Sequence, residues 1–580
     1  MSLDIARLVA FSGISTTELQ ISVASSNISN ADTKGYTRKT ANQVADVTGG
    51  IGTGVSITGI SSTVDKLLLK SLIGANSDLG AADTTNSYLT QLQQLFGSAS
   101  TSGTSTTGTS LANSLASLES ALSSLASSPS SVSLQSAAVS ALDDFASQLR
   151  STSSGVQTLR GNADKDIASS VQSVNDDLKQ IADLNVEIRK MAASGQSTAD
   201  LEDERNSALQ DLSSYMNVSY YTASNGDLQV YTSSGRALVD SSAHTLSYTA
   251  SANVSASSSF SGIMVDGVDV TSQITSGKIG SLITLRDDTL PAVQTQLDQL
   301  ASQLKSALNS ITEGASAVPP PTTLTGTAGV SSTTALSASG TVRIAVADQS
   351  GNLVSYQDLD LSSYATVGDL VTALNGISGV SASIDSSGHL SISATSSSNG
   401  IAINDMTSAI GGGGFSGYFG MNDLVTGTGA SNFAVNSSIL SGAAGLPTGT
   451  LDSSATLTTG SQVLTSGSAT IINKLYDKLT GSTSFSSAGG LSATTGSFAD
   501  YAAAIVANVA SKASQASSAY TAKSTAQSSY ASSLSSQSGV NIDEETARLS
   551  SLQNKYAAAS QLISVINSMF SSLLTAVQST

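Results

Sequence analysis

The chain has 580 residues, with 24 Lys plus Arg against 42 Asp plus Glu and a formal net charge of −18, an acidic balance that argues against nucleic acid or an anionic membrane as partner. Aromatics make up only 4%, and Trp and Cys are absent. This excludes disulfide frameworks and thiolate metal sites, and leaves little of the bulky lining that compact enzymes place around a pocket.

Residues 2–30 read as a helix with Leu3, Ala10, Ile14, Ile21, Ala24 and Ile28 on one seven-residue seam, interrupted by Thr17. This opening lacks a basic n-region, an unbroken apolar core and a small-residue cleavage site, so no Sec signal peptide is expected. No apolar run approaches the ~20 residues that cross a bilayer, and no membrane insertion is expected. The helix closes in Asn27-Ile28-Ser29-Asn30-Ala31-Asp32-Thr33-Lys34-Gly35-Tyr36, where Asn, Asp and Gly supply turn-forming positions.

A small strand is expected within Gly49–Gly59, then a helix over Ser62–Leu72, a Ser/Thr/Gly-rich loop from Gly97 to Thr109, and helices over Leu111–Ala126 and Val132–Leu159. A further helix carries Ile167, Val171, Val174, Leu178, Ile181 and Ile188, and after a turn at Ser194-Gly195 another runs from Ala199 to Tyr215. The period then changes. Val218 to Tyr220, Leu228 to Tyr231 and Ala237 to Val239 alternate around Asn225-Gly226 and Ser234-Gly235, turn signals for β-hairpins.

Strands continue to about Val270, and a helix over Gly280–Ile311 is broken only by Pro291. Pro319-Pro320-Pro321 reads as a stiff boundary. Residues 340–405 alternate as strand, strand, helix (Val367–Leu374) and strands again. Helices resume at Ile471 and over Phe498–Gln537. The last stretch opens Ser538-Gly539-Val540-Asn541-Ile542-Asp543-Glu544-Glu545, with Asn541 or Asp543 as N-cap and acids in the first turn. Leu549, Leu552, Tyr556, Ala559, Ile563, Ile566, Phe570, Leu573 and Val577 then alternate steps of three and four, the seam of a helix made to wind around another.

The reading is an α+β multidomain chain in which N- and C-terminal helices form a coiled-coil or helical-bundle shaft, with β-rich domains inserted in the middle. Its expected parts are residues 1–60 (N-terminal heptad helix and loop), 61–215 (helical shaft), 216–279 (β-rich outer domain), 280–314 (helix returning to the shaft), 315–410 (inserted α+β domain), 411–537 (re-entry segment and shaft) and 538–580 (C-terminal heptad helix).

Nothing forms a credible active site. The two histidines, His244 and His389, read as ordinary surface or strand residues. Asp543-Glu544-Glu545 suits any helix start. Gly411–Gly414 lacks the Lys-Ser/Thr of a phosphate loop, and Gly52-Thr53-Gly54 lacks the rest of a dinucleotide fingerprint, so both read as flexible joints. No catalytic, cofactor or metal residue is expected.

The segment Asn27, Ile28, Asn30, Ala31, Thr33, Gly35 and Tyr36 resembles the signature of the axial flagellar proteins of the rod, hook and hook-associated types, with Lys34 where many members have proline. Four other passages resemble the hook-associated protein 1 family in particular. They are the order Asp203, Arg205 and hairpin to Val239, the returns near Gly280 and Phe415, and Ser538–Glu545 with Leu552, Tyr556, Ala559, Asn567, Met569 and Phe570. The resemblance implies a structural protein at the junction of hook and filament, exported through the flagellar type III apparatus without a cleaved signal peptide. It implies self-assembly into a ring through the terminal seams and through Asn27, Asn30, Gly35 and Tyr36. It further implies contacts with hook protein on one side and a second junction protein or the filament on the other, and an export chaperone at the C-terminal helix. The other readings are a different axial protein of the hook or rod type, or a secreted Ser/Thr-rich coiled-coil adhesin.

Overall fold

A computed structural model describes residues 3–97, 110–465 and 467–578. The expected loop over residues 98–109 lies outside them. The first helix, α1 (Leu3–Ser29), is followed by an antiparallel hairpin of β1 (Lys39–Thr48) and β2 (Ile51–Ser62), joined at Gly49-Gly50. The sequence pointed only to its second strand, because β1 is mostly exposed and lacks an apolar alternation. The next helix, α2 (Lys66–Leu95), extends far beyond the expected Leu72, and α3 (Leu111–Ser127) agrees with expectation.

The two helices expected between Val132 and Ile188 are one, α4 (Val132–Ala193). Its glycines do not break it: a Cβ on Gly155 would lie 2.8 Å from Leu95 Cδ1, so that glycine serves close packing. α5 (Ala199–Tyr215) leads into the sheet β3 (Ser219–Thr222), β4 (Leu228–Tyr231) and β5 (Ala237–Val239), with the hairpin turns where expected. A second small sheet holds β6 (Leu246–Ser247), β7 (Met264–Val265) and β8 (Val268–Asp269).

The returning helix is not broken at Pro291. α6 (Gly277–Thr284) runs through a π-helical turn, Leu285–Thr289, into α7 (Leu290–Thr312), where Pro291 occupies the first turn. A wider turn there accommodates a residue that has no N–H to donate.

After β9 (Ser316–Ala317) come β10 (Thr323–Gly329), β11 (Ala338–Ser339), β12 (Thr341–Asp348), β13 (Leu353–Asp360), α8 (Val367–Asn375), β14 (Val380–Ile384), β15 (His389–Ala394) and β16 (Asn399–Asn404). They form antiparallel sheets of order β10-β15-β14 and β13-β12-β16. β12 is covered on both faces. Val342, Ile344 and Val346 join the core that includes Leu370 and Leu374 of α8, while Ala345 and Ala347 join a second core with Leu451, Val463 and Leu464.

Short helices α9 (Phe415–Phe419), α10 (Ser437–Leu440) and α11 (Thr470–Thr480) precede the long α12 (Phe498–Ser538) and α13 (Ile542–Gln578). Asn541 caps α13, its side chain accepting from the N–H groups of Asp543 and Glu544. Within Phe498–Gln578 an 18-residue window has a mean hydropathy of 1.3 and is 6% buried, so one segment is apolar enough by length and composition to cross a bilayer, contrary to expectation. Counting unbroken apolar runs misses it because serines interrupt the stretch.

The chain divides into two compact units. The first takes residues 1–88, 161–286 and 514–580, and the second takes 89–160 and 287–513. The candidate site lies wholly in the first.

Candidate functional site

Helices α1 and α13 pack along each other in opposite directions. Arg7, near the start of α1, lies over the Phe570 ring at 6.0 Å, while Asn27, near its end, bonds Glu545 in the first turn of α13. The predicted seams largely face inward. Ala10 and Ala24 of α1 and Leu552 and Ile566 of α13 are buried. Leu3, Ile14, Ile21, Ile28, Leu549, Ala559, Ile563 and Phe570 are half-buried.

The α13 seam is not covered throughout. Tyr556 is 39% exposed, Leu573 56% and Val577 68%. At 1.5 Å per residue the 27 residues of α1 span about 40 Å and the 37 of α13 about 55 Å, so α13 overruns its partner. Tyr556 carries a hydroxyl that favours water. Off the seams a second apolar set faces outward: Leu8 and Phe11 of α1, and Leu562, Met569 and Leu574 of α13, are each more than half exposed.

At the base of this pair is a buried polar node. After Ser29 the chain turns through Asn30–Tyr36, with Gly35 at φ +81°, and doubles back across the end of α1. The return brings Lys39 against Asn27, which has no exposure. Asn27 Nδ2 donates to Lys39 O (2.9 Å) and Glu545 Oε2 (3.3 Å), and its Oδ1 accepts from Lys39 N (2.9 Å) and the Tyr36 hydroxyl (3.0 Å). The asparagine thus spends its amide on a strand start, a ring hydroxyl and a carboxylate that all lie away from its own helix.

Glu545 also has no exposure, and its Oε1 accepts from Arg38 Nε at 2.6 Å. Arg38 N donates to Ser538 O (2.9 Å), and Ser538 Oγ accepts from Asp65 N (3.2 Å). A third segment closes the node. Asp203 of α5 accepts from Thr37 N (2.9 Å), Thr37 Oγ1 (2.6 Å) and Lys39 Nζ, and Asp200 Oδ1 lies 2.9 Å from the same ammonium. Lys39 Nζ also sits 3.6 Å above the Tyr36 ring. Burial alone would lower the Lys39 pKa, but the bonds and charges of Asp203 and Asp200 outweigh it and hold it above the ordinary lysine value.

Two positions along α5, Arg205 faces a different element. It donates to Asn185 Oδ1 (2.8 Å) and Gly226 O (2.9 Å), while Asn185 bonds both the N–H and the carbonyl of Leu228 at 2.9 Å. Burial lowers the Arg205 pKa, with Glu202 and Asp227 opposing. Asp203 therefore fastens the loop after α1, and Arg205 fastens the β3–β4 turn to α4.

Of the predicted residues, the structure brings Asn27 and Tyr36 together in the node, with Gly35 supplying its turn. Asn30 lies at the turn, donating from Nδ2 to Ser26 O (3.0 Å). Lys34 is exposed beside Asp211 (3.8 Å). Sequence reasoning missed Arg38, Lys39, Ser538, Asp203 as a partner of the loop, and Glu545, which it assigned to the helix dipole. One signal was available: in a chain only 11% charged, Arg38-Lys39 follow one residue after the signature. Among the described residues no group of three or more His, Cys, Asp or Glu side chains is arranged to hold a metal ion. His244 and His389 pair with nearby aspartates, at 2.8 Å from Asp266 and 3.6 Å from Asp385. The node is a fastening between three segments of the chain.

Four family models match the chain. Residues 83–320 match the flagellar hook-associated protein FlgK helical domain, 8–37 the flagella basal body rod protein, 531–576 the flagellar basal body rod FlgEFG protein C-terminal model, and 341–396 the flagellin hook IN motif. The flagellar hook-associated protein 1 of Salmonella typhimurium is 25% identical over 314 residues, covering 52% of this chain and 55% of that protein. Its counterpart in Escherichia coli K12 is 23% identical, covering 52% and 56%. The chain thus spans about half the length of the curated relatives it matches. The solved flagellar hook junction protein FlgK from Burkholderia pseudomallei is 16% identical, with a TM-score of 0.49 over 80% of this chain and 98% of that one. The rod-type matches fall on the two helices that meet at the node, and the FlgK helical model spans α4 and α5, which supply its third side and the hairpin anchor; over these segments the chain is similar to flagellar hook-associated protein 1 (FlgK).

Proposed function

We propose that this chain is a structural, non-enzymatic component of the bacterial flagellum that forms the junction between hook and filament. The reading is carried by one observation: the α1–α13 pair is locked at its base by a buried polar node yet leaves an apolar face uncovered. Apolar surface of this kind on a fixed element marks an interface. In the assembly, the outward residues Leu8, Phe11, Leu562, Met569 and Leu574 pack against the terminal helices of neighbouring copies to form a ring. The Asn27–Glu545 node keeps each copy's two terminal helices in register. Residues 1–60 and 538–580 form the inner tube, and the β-rich region 216–279 faces outward.

Hook protein adjoins one side of the ring and a second junction protein or the filament the other. Before assembly the same apolar face of α13 needs cover, which suits an export chaperone that takes the helix in a groove. Export follows the flagellar type III route. The FlgK helical-domain match favours this role over that of a rod or hook protein. A deletion strain examined by electron microscopy tests the proposal. Hooks that persist without filaments support it, and filaments of normal length on those hooks refute it.

A further inference from the structure

Away from the node, in the second unit, two carboxyl groups meet where α7 gives way to the inserted strands. Glu313 ends α7, its N–H donating to Asn309 O (2.8 Å). Its carboxyl lies against α9: a Cβ on Gly417 would lie 2.8 Å from Glu313 Oε2. Asp423, which follows α9, is 5% exposed. Its Oδ2 accepts from Thr327 Oγ1 of β10, but its Oδ1 meets no hydrogen-bond donor among the described residues. The Glu313 carboxyl is coupled to Asp423 by a side-chain hydrogen bond and by charge, and as a carboxylate it has no hydrogen to give.

The other charges facing the pair do not supply one. Asp405 is occupied by the N–H (2.9 Å) and hydroxyl (2.8 Å) of Ser416 and adds negative charge. Lys305, one face up α7, donates to Gly427 O (2.9 Å). An oxygen this buried and unpartnered is costly unless its neighbour carries a proton.

We propose that Glu313 and Asp423 share one proton, and that this carboxyl–carboxylate bond is a pH-released latch holding β10 and α9 to the end of α7. Below neutrality Glu313 donates to Asp423 Oδ1 and the latch is closed. Loss of that proton leaves two carboxylates in contact beside Asp405 and opens it. The protonation behaviour agrees. Burial first, then the charges of Asp423 and Asp405, push Glu313 up to about 7 with Lys305 opposing. Burial likewise raises Asp423 against the pull of Thr327 and Lys305. Because the folded state keeps a proton that the unfolded chain releases near the ordinary glutamate value, the stabilisation is complete at low pH and is lost as pH rises towards 7.

The test is hydrogen exchange on the full chain, read at the amides of residues 323–329 and 415–421, for the native protein and Glu313→Gln at pH 5, 6, 7 and 8. Glutamine presents an N–H to Asp423 at every pH. After correction for intrinsic exchange rates, native protection should fall at least about tenfold relative to the variant between pH 5 and 8. Parallel pH profiles for the two proteins would overturn the proposal. If Glu313→Gln does not fold, the native Glu313 carboxyl carbon is titrated by NMR: a midpoint near 7 supports the latch, and one near the ordinary glutamate value overturns it.

Discussion

Asn27 and Glu545, 518 positions apart in sequence, are joined by a 3.3 Å hydrogen bond between two side chains with no solvent exposure. Around that bond three segments meet: the turn after α1, the first turn of α13, and Asp203 on α5. Asn27 has no equivalent replacement there, because it must accept from a backbone N–H and a tyrosine while donating to a carbonyl and a carboxylate.

Asn27→Ala should therefore cost on the order of 3 kcal/mol, since it leaves the Lys39 N–H and part of Glu545 buried without partners. Tyr36→Phe should cost only about 1 kcal/mol, because Asn27 Oδ1 keeps its bond from Lys39. Urea unfolding followed by circular dichroism measures both. Equal losses would show that the asparagine is not the organising residue.

The Arg38–Glu545 pair is buried on the glutamate side, whereas Lys34–Asp211 is exposed on both. Double-mutant cycles to alanine should return a coupling above about 1 kcal/mol for the first pair and below about 0.5 kcal/mol for the second. Equal couplings would place the node on the same footing as surface pairs.

Two glycines should respond with opposite sign. Gly35→Ala has room, its Cβ 3.7 Å from Ser207, but must hold φ +81°, at a cost of about 1 kcal/mol. Gly13→Ala sits inside α1 with nothing within 4 Å and should stabilise the helix by up to about 1 kcal/mol. Thermal unfolding of the two variants decides it.

On α4, burial first and then Asp211 and Asp176 push the Asp177 carboxyl up to about 7. Its contribution is full below the ordinary aspartate value and is lost as pH rises through about 7. Asp177→Asn should remove that share of the pH dependence, read as a smaller fall in Tm between pH 4 and 8. An unchanged slope would contradict it.

The elements with a strong period were legible in the sequence. Leu552 and Ile566 of the α13 seam are buried and the alternations of β3 to β5 and β12 lie where periodicity placed them, because local pattern and burial agree there, whereas Tyr556 on the same seam is exposed. Glycine misled at one turn. Gly414, expected to be a flexible joint, has its backbone pressed against Asp405, where a Cβ would meet Oδ2 at 2.1 Å. The node itself could not be read from spacing. A helix-start glutamate is chemically ordinary, and only the fold brings Glu545 to Arg38. The resemblance located all three segments of the node without showing that they touch.

The most direct test of the central claim is the double variant Leu562→Glu, Met569→Glu, on the outward face of α13 where neither residue is buried. Two measurements are made: the unfolding midpoint of the soluble chain, and the hooks of the variant strain under electron microscopy. The account predicts an unchanged midpoint and hooks without filaments. Full-length filaments on those hooks would show that this face is not the surface through which the copies join.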